Sequence, residues 1–441
     1  MKVQDGEKNI EVWFVRLVAI CSMLSVWKVR IGGMDLLPVL LFVLVLFWMA
    51  FLIVLINQGK RKWRQRYGRL DMAMGLLLLY ELGQLVVTIL VAGEEEVPDY
   101  SLNLLLISLV MLYLMMMETD GRMQGYLDLI LYGGLVVMTV LLLGYLCSPR
   151  IGESLFLWGN QTATGSYLLL IATVGVLQYC TSRIPLQSYF YAMCSFMSFF
   201  LLGCNHSNIS FWILGGTILL IPILLRPTAL VFKRAMQMMF VFVFIISNMS
   251  LLTNYTGVLL VETSYDLEHS VYLDLLLALG CVLFFHYWDR IPERVRLDRI
   301  VLRRLYRVEK RLLKACLMIF LLFVLGGSAW QSLDSGRMSI QALQSFAVPL
   351  WKEAEGSHSF FYACVEEQGI LGAVLCILVI VFAAERVAAM FGWNKVTKGM
   401  AGVALTGIIM QLLLWEGCIN ILPIAVMMLA SAVQGKEQMM R

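Results

Sequence analysis

A histidine stands at the head of an apolar run late in this chain, where His358-SFFYACVEEQGIL-Gly372 carries His358, then Glu367 and Gly369. Histidine gives and takes protons near neutrality because its unperturbed pKa is about 6.5. His358 is therefore a candidate general base; its other reading is an interfacial residue that caps the following helix. Arg337, within Leu333-DSGRMSIQA-Leu343, keeps its charge at any accessible pH and can grip phosphate oxygens bidentately. Asp334 beside it either holds that arginine in a surface ion pair or meets substrate itself. Glu367 falls one to two turns into the helix after His358, where an ionisable group is costly unless it faces a cavity or a partner. Glu366 points elsewhere around that helix. Arg150, Glu153, Trp158 and Asn160 form a second group, read either as the rim of a groove or as membrane-interface residues. His206 is a further ionisable group placed between apolar runs.

These residues belong to a chain of 441 residues that is 60% hydrophobic and 15% charged, with mean hydropathy +0.80. No soluble domain has that balance. Apolar runs long enough to cross a ~30 Å hydrocarbon core, which takes about 20 residues per helix, recur from one end to the other. Their lack of strict alternation argues for helices rather than a β-barrel. The expected class is all-α, a polytopic transmembrane helical bundle. The N-terminal MKVQDGEKNIEVWFVRLV lacks a small-residue cleavage site, so the first helix is expected to stay. The ten cysteines show no CxxC spacing and no paired loop positions, which leaves them as packing residues and gives no zinc site. No Walker loop or dinucleotide-binding glycine motif is present. No cofactor or metal is called for, and a net charge of +4 gives no reason to expect nucleic acid as a partner.

Cytoplasmic loops keep lysine and arginine, so basic and neutral or acidic connections should alternate. The basic ones are 60–69, 181–185, 226–234, 290–314 and 385–398, with a weaker one at 118–124 that holds only Arg122. Between them lie 93–100, 147–165, 204–208, 254–270, 330–357 and 415–420. The alternation gives about fourteen spans, or about twelve if Arg16 and Lys28 disqualify the first two, with both termini cytoplasmic in the cell membrane. The chain reads as one integral membrane domain over 1–441. Residues 290–314 form a basic cytoplasmic loop or an amphipathic helix on an anionic leaflet. Residues 330–358 form the largest external loop, and they carry the candidate site.

The stretch from His358 to Gly372 resembles the signature of the O-antigen ligase and polymerase superfamily, in which a histidine leads into a helix bearing a glutamate and then a glycine. Ser335-Gly336-Arg337 is similar to the Ser-Gly-Arg element of that family's large external loop. The closing segment Trp415-EGCINIL-Pro423 also resembles the family. Ser359 stands where members usually carry Asn, and 203–208 offers His206 where they often carry Ser-Arg-Gly. The resemblance implies a polyprenyl-diphosphate-linked glycan as donor, a glycan or glycolipid as acceptor, and an inverting, metal-independent transfer at the outer face of the membrane among membrane lipids. On that reading His358 deprotonates the acceptor hydroxyl and Arg337 neutralises the departing diphosphate. Arg150, His206, Glu367 and Asp334 would contribute to substrate binding.

Two rivals stay open. Asp334, Gln341 and Gln344-Ser345 look like the motif of SEDS glycosyltransferases, which polymerise peptidoglycan from lipid II; there Asp334 would be the base. A transporter or flippase for lipid-linked sugars would instead show internal repeats, intramembrane charges or helices broken at midplane. No repeat is visible, and the polar residues concentrate in the external loops.

Overall fold

A computed structural model describes residues 2–24, 30–31, 34–58, 68–91, 101–117, 123–147, 161–182, 184–204, 208–225, 229–256, 279–280, 283, 286, 360–391, 396–414 and 416–434. The described residues are almost wholly helical. Their helices are α1 (Lys2–Leu24), α2 (Leu36–Asn57), α3 (Arg69–Val91), α4 (Ser101–Met116), α5 (Met123–Cys147), α6 (Gln161–Thr181), α7 (Pro185–Cys204), α8 (Asn208–Leu224), α9 (Ala229–Thr256), α10 (Phe360–Met390), α11 (Val396–Leu414) and α12 (Leu422–Gln434). A 3-10 turn, Glu416–Ile421, leads into α12. Ahead of α2 sits one minimal hairpin in which Arg30 pairs with Asp35 and Ile31 with Met34. The bundle is all-α, and six of these helices are long and apolar enough to cross a membrane. The amphipathic segment expected at 290–314 and the external loop at 330–358 lie outside the described residues.

Burial separates the helices into inner and outer. In α6, 94% of the membrane-length stretch is buried inside the bundle, against 28% in α2. The composition explains the contrast. α2 is an unbroken apolar run whose Val43 and Phe47 are exposed, as suits a lipid-facing helix. α6 is punctuated by Thr164, Ser166, Thr173, Gly175 and Gln178, all inside. Lipid tails are as apolar as leucine, so helices gain nothing from hydrophobicity when they meet within a membrane; they gain from close packing of small residues. At Gly175 a Cβ would come within 2.7 Å of the Ser195 hydroxyl on α7, and at Gly134 of α5 a Cβ would reach Ile171 of α6 at 2.6 Å. Helices α5, α7, α8, α9 and α11 and the 3-10 turn all pack on α6.

A second interior forms where α4 lies against α2, α3 and α12, and where α10 packs on α3 and α11. Phe14 of α1 stacks on Trp48 of α2 with ring centroids 4.5 Å apart. Cys21, Cys180, Cys194 and Cys376 are free and buried, in keeping with a packing role. Arg234 of α9 donates to the carbonyls of Tyr179 and Ser182, closing the C-terminal end of α6. A cation belongs there, because the last carbonyls of a helix have no partner within it.

Candidate functional site

A run of polar side chains lies along one line where α3, α4 and α10 meet. At the end of the bundle where α3 begins, Gly68 precedes the helix and its N–H donates to Asp71 Oδ2 at 2.6 Å. This is the return half of a capping box, with an acidic residue in the first turn reaching back to an otherwise unpaired donor. The other carboxylate oxygen, Asp71 Oδ1, accepts from the Tyr113 hydroxyl of α4 at 2.5 Å and from Arg386 Nη1 of α10 at 3.3 Å. Arg386 also donates to the Tyr113 hydroxyl and lies over its ring. The Asp71 side chain is 2% exposed and that of Arg386 is 21% exposed. One carboxylate, one phenol and one guanidinium thus join three helices and satisfy each other, with the carboxylate enclosed and the guanidinium partly open.

Beyond this trio, moving away from the start of α3, lies an apolar cavity of about 110 Å³ among α3, α4, α10, α11 and α12. Its walls include Met74, Leu77, Leu106, Cys376, Ala383 and Val426. Past the cavity the lining turns polar again. Gln368 of α10, 2% exposed, donates from Nε2 to Asn103 Oδ1 of α4 at 2.5 Å. The Tyr80 hydroxyl of α3 donates to the Gln368 backbone carbonyl at 2.6 Å, and Gln84 Nε2 donates to the same hydroxyl at 2.9 Å.

Directly after Gln368 the helix breaks. Gly369 has φ 67° and ψ −178°, which splits α10 into a short segment, 360–368, and a long one beyond it. This backbone region is open to glycine and almost closed to every other residue. Three residues on, Gly372 lets the two helices approach so closely that a Cβ there would lie 2.8 Å from the Tyr80 ring. Glu81, next to Tyr80, is fully buried, and neither of its carboxylate oxygens has a hydrogen-bond partner among the described residues.

A separate polar contact ties the end of the chain to the centre. Asn420 in the 3-10 turn donates from Nδ2 to the Ala163 carbonyl at the start of α6, at 3.0 Å. It lies within the closing segment Trp415 to Pro423 singled out in the sequence.

Of the residues that the sequence nominated, Glu367 lies in the short first segment of α10, one residue before Gln368. His358, Arg337, Asp334, Arg150 and His206 lie outside the described residues. The external loops in which the sequence concentrates polar residues lie largely outside the described residues, and within the described helices Asp71, Glu81, Gln368 and Gln411 are buried. A signal was present in the sequence, since an aspartate and a glutamate inside one apolar run are each expensive in a membrane and mark either a partner or a function. No family model matches this chain, and no curated protein or solved structure matches it either.

Proposed function

We propose that this chain is a membrane glycosyltransferase of the O-antigen ligase and polymerase type, moving a glycan from a polyprenyl diphosphate carrier to an acceptor hydroxyl at the outer face of the cytoplasmic membrane. The observation that carries this reading is Gly369. The glycine that ends the His358, Glu367, Gly369 pattern adopts a backbone conformation that other residues avoid. Glycine at position 369 therefore has a structural reason in this chain, which supports the reading beyond similarity of letters. The short segment bearing Glu367 is anchored on both sides of its last residue, by Tyr80 from α3 and by Asn103 from α4, so the chain that follows His358 enters the bundle at a fixed point.

The chemistry is one displacement. His358 takes the proton of the acceptor hydroxyl as its oxygen attacks the anomeric carbon, and the bond from that carbon to the diphosphate oxygen breaks with inversion. Negative charge builds on the departing diphosphate, and Arg337 offsets it. Electrostatic stabilisation of this sort is usually the largest single contribution to rate, while a positioned base adds typically 10²–10⁴-fold. Arg150, His206, Asp334 and Glu367 would hold the glycan and its diphosphate. Both termini would face the cytoplasm, on the side of the basic connections.

A second reading, a transporter or flippase of lipid-linked sugars, gains from the helix broken at Gly369 and from Asp71, Glu81 and Arg386 inside the bundle, since both features mark transport paths. The test is product formation in membranes supplied with a polyprenyl-diphosphate glycan and an acceptor. Loss of product with His358→Ala and Arg337→Ala, and its survival in Asp334→Ala, supports the ligase and polymerase reading. Loss with Asp334→Ala alone moves the assignment to the SEDS type. Full activity in all three variants removes the site, and glycan movement across the membrane then becomes the quantity to measure.

A further inference from the structure

We infer that Glu81 is a proton-binding site inside the membrane span, a carboxyl group held as the neutral acid one helical turn past Leu77 of the cavity wall. The inference is independent of the glycosyl-transfer reading. Glu81 is fully buried and neither oxygen meets a donor among the described residues. An ionised carboxylate in such surroundings is too costly to persist, and taking up a proton removes the charge.

The surroundings point the same way. On three of the five helices around the cavity, a polar residue lies one or two turns beyond a lining residue, toward the same end. Glu81 follows Leu77 on α3, Asn103 precedes Leu106 on α4, and Gln368 precedes Cys376 on α10. Gln368 already gives its amide N–H to Asn103, yet its own Oε1 is buried without a donor among the described residues. Both Glu81 oxygens are in the same condition. A proton on Glu81 supplies one donor and removes one negative charge.

Of the titratable side chains described on α3, α4 and α10, none pairs with Glu81. On α4 the titratable group is Tyr113, bonded to Asp71 and Arg386, and ten residues separate Asp71 from Glu81, about 15 Å at 1.5 Å per residue. On α10, Arg386 belongs to that same distant trio, Glu385 beside it is exposed, and Cys376 lines the cavity wall. Tyr362, Cys364, Glu366 and Glu367 sit in the short first segment, whose side chains before Gln368 lie outside the described residues. On α3 itself Tyr80 is engaged by Gln368 and Gln84, and Arg69 stands at the end of the helix near Asp71.

The test uses the full chain in lipid vesicles and the apolar reagent dicyclohexylcarbodiimide, which requires a protonated carboxyl. The acid O–H adds across one C=N bond of the reagent, its proton passing to nitrogen, and the adduct is found by peptide mass spectrometry. At about pH 6 an exposed glutamate, with a pKa near 4.3, is ionised and stays largely unlabelled. Expected are an adduct on Glu81 at that pH, its loss as the pH is raised into the alkaline range, and no labelling of Glu81 by a water-soluble carbodiimide. Glu81→Gln should lose the adduct, while Asp71→Asn should leave Glu81 labelled. No adduct at any pH, or equal labelling by the water-soluble reagent, overturns the proposal. Protection by sodium but not by choline also overturns it, since the site would then hold a metal cation instead of a proton.

Discussion

The hydroxyl of Tyr80 and the backbone carbonyl of Gln368 lie 2.6 Å apart, although 288 residues separate them in the chain. The bond holds α3 against α10 at the residue just before the break at Gly369. Replacing Tyr80 by Phe strands that carbonyl, and leaving a buried acceptor unpaired costs about 1–3 kcal/mol. Thermal unfolding in detergent should register the loss. Under the glycosyl-transfer proposal, transfer activity should fall further than stability, because the segment carrying Glu367 is no longer fixed in place.

Gly369 separates strain from crowding. A Cβ built on it meets nothing within 4 Å, yet φ is +67°. Gly369→Ala should therefore cost about 1–3 kcal/mol purely through its backbone. Gly372→Ala is the contrasting case: its backbone is helical, but the new Cβ would press on the Tyr80 ring at 2.8 Å and on Gln368 Cβ at 2.6 Å. Gly369→Ala is expected to be rescued by Gly369→D-Ala in a semisynthetic chain, since a D residue accepts positive φ. Tyr80→Ala should relieve Gly372→Ala only in part, since the contact with Gln368 Cβ stays, and a double-mutant cycle on unfolding temperature reads the share due to the ring.

The trio of Asp71, Tyr113 and Arg386 should respond unequally to removal of its members. Arg386→Ala strands a carboxylate that is 2% exposed, whereas Asp71→Ala leaves a guanidinium that is 21% exposed and can reach water. Breaking a buried pair costs about 3–5 kcal/mol, and the arginine deletion should fall in that range with the aspartate deletion below it. A double-mutant cycle on unfolding free energies checks the order. Equal losses would mean that the arginine is as enclosed as the aspartate.

Arg234 closes the last carbonyls of α6 and lies over the Tyr179 ring, 5.1 Å from its centroid. Arg234→Ala should lower stability by about 1.5–3 kcal/mol, the range for hydrogen bonds made by a charged group. Arg234→Lys should recover part of it, because lysine keeps the charge but not the planar fork that reaches two carbonyls. Limited proteolysis near residues 182–184 should speed up in the alanine variant.

Much of the architecture was legible in the residues themselves. Helix-length apolar runs, the lack of alternation and the scattered cysteines pointed to an all-α membrane bundle, and Phe360 opens a helix where the run after His358 called for one. The partnership of Asp71 with Arg386 was not legible, because 315 positions separate them and helical periodicity reports only neighbours three or four apart. Reading charge by loops drew attention to connections, where lysine and arginine sort by leaflet, and away from single carboxylates within α3. Glu81 shows the same limit: its isolation is a property of the packed bundle, and a sequence shows an acid without showing what fails to reach it. Gly369 was legible as the end of a spacing pattern, but the positive φ that makes glycine necessary there comes from the way α10 meets α3 and α4.

Helix α6 is surrounded by α5 and α7 to α9 on one hand, and by α11 and the 3-10 turn on the other. Its hydroxyl and amide side chains suit protein neighbours far better than acyl chains. During synthesis the first group arrives promptly, but the second is made more than two hundred residues after α6, so one flank of the nascent helix stays uncovered until the last segments are in place. The Asn420 bond to Ala163 is then the final clasp of biogenesis, and a chain that stops short of residue 416 leaves that flank without its partner.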